Sequence, residues 1–123
     1  MYQTLAIAAG GALGALLRYW TANGVYALTG RGFPYGTLFV NVLGSLIMGF
    51  LTIWFLERSA VGPVVRAFML IGLLGAFTTF STFSMETVNL IESGQLGRAL
   101  GNMLISVLVC VGAAGLGVIL GRQ

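Results

Sequence analysis

The chain has 123 residues, 58% of them hydrophobic and 7% charged, and its charges are six arginines and three glutamates. A soluble domain carries about 25% charged residues, so this chain cannot cover a water-facing surface, and its mean hydropathy of +0.98 identifies lipid as the solvent. Lys, Asp and His are absent, which excludes a serine triad, a histidine metal site and the common paired-carboxylate acid–base site. The single Cys110 cannot pair within the chain or form a CxxC motif. A net charge of +3 without clustered basic residues excludes a nucleic-acid footprint.

A spanning helix needs roughly 20 mostly apolar residues, and four such segments are predicted: Thr4–Leu28, Tyr35–Leu56, Ala67–Ile91 and Ala99–Leu120. Together they make one all-α membrane domain over residues 1–123. The first segment lacks a basic leader region and three more spans follow, so it is expected to stay as a span. Its small-residue pairs Gly10/Gly14 and Gly11/Ala15 let helices approach closely in lipid. Arg18 lies inside it, beside Tyr19 and Trp20. An intramembrane Arg either lines a polar pathway or snorkels into an aromatic belt, and a vestibule position satisfies both.

The turn Gly30-Arg31-Gly32-Phe33-Pro34 leads into the second helix, where Thr37, Asn41, Ser45 and Gly49 recur at four-residue spacing. A side-chain amide in hydrocarbon needs a partner, so Asn41 must face a polar group, a cavity or a permeating species. The third segment carries five hydroxyls and two phenylalanines between Thr78 and Met85, directly after Gly72 and Gly75. Hydroxyls compete for helix carbonyls and Thr is a modest helix former. Two readings stand: an intact helix whose Ser and Thr bind its neighbours, or a helix broken near its middle. A broken helix is tolerated at membrane depth only in protein or at a cavity, where its freed carbonyls can meet a cation.

Phe80 and Phe83 share a helical face, as do Ser81 and Ser84. Packing explains the rings. So does an anion path, because ring edges are electropositive and the hydroxyls and the Asn41 amide can donate hydrogen bonds. Glu86 follows one turn later; it can snorkel, pair with an Arg or act at the pathway. The fourth helix carries Asn102, Ser106, Cys110 and Ala114, then Gly117 and Gly121. Asn102 lies near enough to the helix end to reach the membrane interface.

With four spans, one side holds Arg58, Arg66 and Arg122, and the other holds Arg31 and Arg98, joined by Arg18 if it is drawn that way. The positive-inside bias is therefore close to nil. Either another feature sets one topology, or the chain inserts both ways and pairs with its inverted copy about an axis in the membrane plane.

These residues carry a resemblance. The stretches Gly10-Gly11-Ala12-Leu13-Gly14-Ala15-Leu16-Leu17-Arg18-Tyr19, Gly36-Thr37-Leu38-Phe39-Val40-Asn41-Val42-Leu43-Gly44-Ser45 and Gly75-Ala76-Phe77-Thr78-Thr79-Phe80-Ser81-Thr82-Phe83-Ser84 closely resemble the Fluc (CrcB) family of fluoride channels over essentially the whole chain. The resemblance implies an antiparallel dual-topology homodimer with a broken third helix and two pores that pass fluoride passively out of a microbial cell. It implies a multi-pass protein of the inner cell membrane that gives fluoride resistance. The pathway would use Asn41, Phe80 and Phe83, with a hydroxyl track over Thr37, Ser81, Thr82, Ser84 and Ser106, and Arg18 in the vestibule. A structural sodium ion would sit on the two-fold axis, held by the Gly75 and Thr78 carbonyls of both copies. The implied partners are fluoride, a second copy and the bilayer.

Two other functions fit a chain of this shape. A proton-coupled exporter similar to the small multidrug resistance family needs a carboxylate in its first helix, and residues 1–56 contain none. A non-transporting scaffold explains the small-residue stripes but leaves Asn41 and the Phe/hydroxyl run unused. An enzyme is disfavoured, since Cys110 and the serines have no base to activate them.

Overall fold

A computed structural model describes residues 1–58 and 60–123. Among the described residues, four helical segments are long and apolar enough to cross a membrane: Tyr2–Thr29, Tyr35–Leu56, Pro63–Glu92 and Leu96–Gly121. We label Tyr2–Thr29 α1 and Tyr35–Leu56 α2. The third span comprises α3, residues 63–77, and α4, Phe80–Glu92; the fourth is α5, Leu96–Gly121. Gly30 ends α1 at φ 77 and Gly94 turns the chain between α4 and α5 at φ 78, a region open to residues without a Cβ.

The third and fourth spans start earlier than predicted, at Pro63 and Leu96 rather than at Ala67 and Ala99. Arg66 and Arg98, which bound the predicted spans, lie inside the helix ends. Arg66 Nη2 donates to Phe55 O at 2.6 Å, tying the α2 terminus to α3. Arg98 Nη1 donates to Gly32 O at 3.0 Å, joining the α1–α2 turn to α5. Such long side chains keep their charge at the interface while their stems stay in the helix. Pro63 opens α3 at a position where its missing N–H is no loss.

Within α3, residues Ala67–Leu74 wind as a π-helix, a wider coil that is rare beyond a single turn. It packs on α1 without intervening side chains. A Cβ on Gly10 would fall on the Phe68 carbonyl oxygen, one on Gly14 on the Leu73 carbonyl oxygen, and one on Gly72 within 2.8 Å of Ile7 O. On the opposite side α2 meets α5 in the same way. There Gly49 faces the Ala114 carbonyl and Gly117 the Leu46 carbonyl, and Gly121 lies against Phe50 O. Lipid gives apolar helices no reason to associate, so close backbone contact supplies the dispersion that holds these pairs. The two pairs meet at Gly44, whose missing Cβ makes room for the Thr78 methyl. Leu5, Ile71, Leu108 and Val111 project outward.

Candidate functional site

The site is built on the junction between α3 and α4. Thr78 has φ −86 and ψ 157, and Thr79 has φ −151 and ψ 119, so both lie in extended backbone between the two helices. Thr79 caps α4, its hydroxyl oxygen accepting from Thr82 N at 3.2 Å; hydroxyl residues favour this position for that reason. The Thr78 N–H and hydroxyl both donate to Leu74 O, each at 3.1 Å, closing α3.

Asn41 crosses from α2 and binds the extended segment at two points. Thr79 N donates to Asn41 Oδ1 at 2.8 Å, and Asn41 Nδ2 donates to Thr79 O at 3.0 Å. The amide thus takes the N–H that a continuous helix would have sent to the Gly75 carbonyl. Arg18 reaches from α1 to the same junction, Nε donating to Ala76 O at 3.0 Å. The carbonyls of Gly75, Phe77 and Thr78 accept no hydrogen bond among the described residues. Oxygen atoms left in this state are hard, neutral donors of the kind an alkali cation takes.

Two cavities flank the junction, and Thr79 lines both. One is a groove of about 400 Å³ that includes Asn41, Ser45, Thr78, Phe80, Phe83 and Ser106 in its lining. The Phe80 and Phe83 ring centroids lie 5.3 Å apart with the planes tilted at 49°. Phe83 is buried, whereas Phe80 is 76% exposed and projects outward. The other cavity, about 170 Å³, is lined by Arg18, Tyr26, Arg31, Thr37, Thr82 and Glu86, among others. There the Tyr26 hydroxyl donates to Glu86 Oε2 at 2.8 Å and lies 3.5 Å from Thr37 Oγ1. The other carboxylate oxygen, Oε1, is buried without a hydrogen-bond partner among the described residues.

The predicted site residues are therefore divided. Asn41, Phe80, Phe83 and Ser106 share the groove, while Thr37, Thr82 and Arg18 line the second cavity. Ser81 is exposed beside Thr79, with 3.4 Å between their hydroxyl oxygens. Ser84 turns its hydroxyl back to Phe80 O at 2.9 Å. Asn102 does not reach the interface: it is 2% exposed and hydrogen-bonded between Thr87 and Ser106. Sequence reasoning singled out neither Tyr26 nor Thr87. Tyr26 reads as one more belt aromatic. Thr87 lies beyond Glu86, but on the helix repeat it follows Phe83 by four residues, which marks its face.

A family profile described as "CrcB-like protein, Camphor Resistance (CrcB)" matches residues 5–118. The chain belongs to the CrcB family. A relative from Magnetococcus marinus, named fluoride-specific ion channel FluC, is 57% identical over 94% of each chain. A Coxiella burnetii protein of the same name is 50% identical over 98% of each. A third, from Methylococcus capsulatus, is 52% identical over 96% of this chain, which spans about half (52%) of that protein's length. Proteins so named are ion channels; the family is not one of enzymes.

Proposed function

We propose that this chain is a fluoride-selective passive channel that lets cytoplasmic fluoride leave the cell and so confers fluoride resistance. The observation that carries the reading is the agreement of two things. Relatives about half or more identical over nearly the whole chain are named fluoride-specific ion channels. This chain's own groove gathers electropositive ring edges, an amide and a hydroxyl without a fixed charge. A small, strongly hydrated anion needs its shell replaced by such donors. Weak, multi-site coordination favours passage over capture.

The working unit of this proposal is an antiparallel dual-topology homodimer in the inner cell membrane, with two pores. The near-nil arginine bias supports insertion both ways up. A groove open on one copy would be closed by the second. Fluoride would pass by Asn41, Phe80, Phe83 and Ser106, with Thr37, Ser81, Thr82 and Ser84 as the remaining hydroxyls and Arg18 drawing anions into the vestibule. The break in the third span would then lie at membrane depth, between the two vestibules.

A sodium ion fits the donor set at the junction, since the Gly75 and Thr78 carbonyls accept no hydrogen bond in this chain. Those two carbonyls from each copy would hold it. When bound, the ion supplies a positive charge that compensates oxygen dipoles which would otherwise face one another unsatisfied. Asn41 and Arg18 are the chain's own contribution: they occupy the Thr79 and Ala76 groups of the same segment and leave these carbonyls free.

The test is fluoride efflux from liposomes carrying the purified protein. A potassium gradient with valinomycin drives release, a fluoride electrode follows it, and chloride is run in parallel. The expected result is rapid fluoride release with little chloride release. No release from folded, dimeric protein would overturn the reading. Release only under a proton gradient would replace it with coupled exchange.

A further inference from the structure

A buried relay runs across the α4–α5 contact behind the groove. The Ser106 hydroxyl donates to Asn102 Oδ1 at 3.3 Å, Asn102 Nδ2 donates to Thr87 Oγ1 at 2.9 Å, and the Thr87 hydroxyl donates to Phe83 O at 2.8 Å. Ser106, Asn102 and Thr87 are 7%, 2% and 5% exposed, so water cannot substitute in the Asn102–Thr87 link. Ser106 alone of the three lines the groove.

The relay has a direction, and the direction fixes what the groove sees. A hydroxyl has one proton to give and two lone pairs to receive. Thr87 gives its proton to the Phe83 carbonyl, so its oxygen must receive from the amide NH₂. That turns the amide oxygen toward Ser106, which gives its own proton there. Ser106 then shows the groove only lone pairs, which repel an anion. Turning the amide by half a turn reverses every link. Thr87 donates to Oδ1, Nδ2 donates to Ser106 Oγ, and the Ser106 proton is released into the groove. The Phe83 carbonyl keeps its helical N–H partner in either state. The released proton can turn back to the Asn102 main-chain carbonyl, as the Thr52, Ser84 and Thr87 hydroxyls do on their own helices, or go to an acceptor in the groove.

We propose that Asn102 is a positioning residue whose amide orientation decides whether Ser106 presents lone pairs or a proton to the groove. An anion beside Ser106 selects the second state, and an empty groove selects the first. This rests on the groove being the anion path, but the orientation itself can be read without transport.

The direct test is infrared spectroscopy of Ser106→Cys in a Cys110→Ala background, where one S–H stretch remains. The expected band is that of a thiol donating a hydrogen bond. Asn102→Leu removes the side-chain acceptor, leaves only the main-chain carbonyl one turn back, and should shift the band. Thr87→Val removes the receiver of Nδ2, favours the turned amide, and should shift it the same way. A band unmoved by both substitutions overturns the proposal, whatever the protein transports.

The transport arm uses fluoride efflux from liposomes. Ser106→Ala removes the proton itself, and efflux should fall about tenfold, the worth of one hydrogen bond. Asn102→Leu removes the amide that holds the Ser106 proton and should stay within about threefold of the parent. In a Ser106→Ala background Asn102→Leu should have no further effect. A tenfold loss in Asn102→Leu that persists in the Ser106→Ala background would show that Asn102 serves packing alone and overturn the proposal. If the parent releases no fluoride, the channel reading fails and the infrared result still decides this one.

Discussion

Asn41→Ala isolates what holds the α3–α4 junction in its extended form. Asn41 Oδ1 is the acceptor for Thr79 N, and Asn41 Nδ2 adds a second bond to Thr79 O. An unpaired buried donor costs about 1–3 kcal/mol, and the second bond contributes about 0.5–1.5 kcal/mol. The sum is roughly 2–4 kcal/mol of local stability, or about 30- to 1,000-fold faster opening at Thr79 at 1.4 kcal/mol per decade.

Hydrogen exchange followed by mass spectrometry in nanodiscs reads this directly. The peptide containing Thr79 should lose protection by that factor while peptides from α1 and α5 remain unchanged. Asn41→Asp keeps an acceptor for the Thr79 N–H but sets an oxygen against its carbonyl. It should preserve most of the protection and still lose fluoride efflux. Unaltered exchange at Thr79 in the Ala variant would refute the clamp. Slower exchange would mean that the N–H has returned to Gly75 O and the helix has closed, which would also place the break under the control of Asn41.

The remaining predictions concern the packing, the rings and the junction's charges. Gly14→Val should prevent folding or cost well over the ~1–3 kcal/mol of ordinary overpacking, since its Cβ would fall on the Leu73 carbonyl oxygen; Gly97→Ala, with open space at its Cβ, should be neutral or stabilising by up to ~1 kcal/mol. Thermal denaturation in detergent compares the two. Phe80→Ile and Phe83→Ile should both lower fluoride efflux, but only Phe83→Ile should also lower the melting temperature, because Phe83 is buried and Phe80 is not. Arg18→Leu leaves Ala76 O without its donor and should lose about 1.5–3 kcal/mol, the worth of a charge-assisted hydrogen bond, visible as a shift of a ¹³C-labelled Ala76 carbonyl. Replacing sodium on both sides of the membrane by an organic cation too large for four carbonyls should abolish efflux and restore it on return; unchanged efflux would remove the ion from the proposal.

The legibility of this chain followed the kind of force involved. Spans were readable because hydrocarbon thickness imposes a length and charge imposes boundaries. Their ends were misplaced by a turn where Arg66 and Arg98 snorkel, since a charge marks where a head group sits, not where a helix begins. The glycine stripes were readable as close approaches, and Gly10, Gly14, Gly49 and Gly117 each meet a neighbouring backbone. Their partners were not readable, because four-residue spacing names a face but not what covers it. That Asn41 needs a partner is legible, because an amide in hydrocarbon cannot stay unpaired. The partner is a stretch of backbone, Thr79, which no side-chain pattern could announce.

The same distinction explains Asn102. On helix spacing alone it falls near a terminus, and an amide there has water within reach. Burial changes its chemistry, because each of its polar atoms must then be matched to a specific donor or acceptor. Thr87 supplies that match from α4 and Ser106 from α5. Once water is excluded, the direction of each proton becomes a property of the network rather than of any one residue. In the proposed channel the ring edges and the Asn41 amide supply donors at the groove itself, and Asn102, which lines neither cavity at the junction, would set which way the Ser106 hydroxyl points.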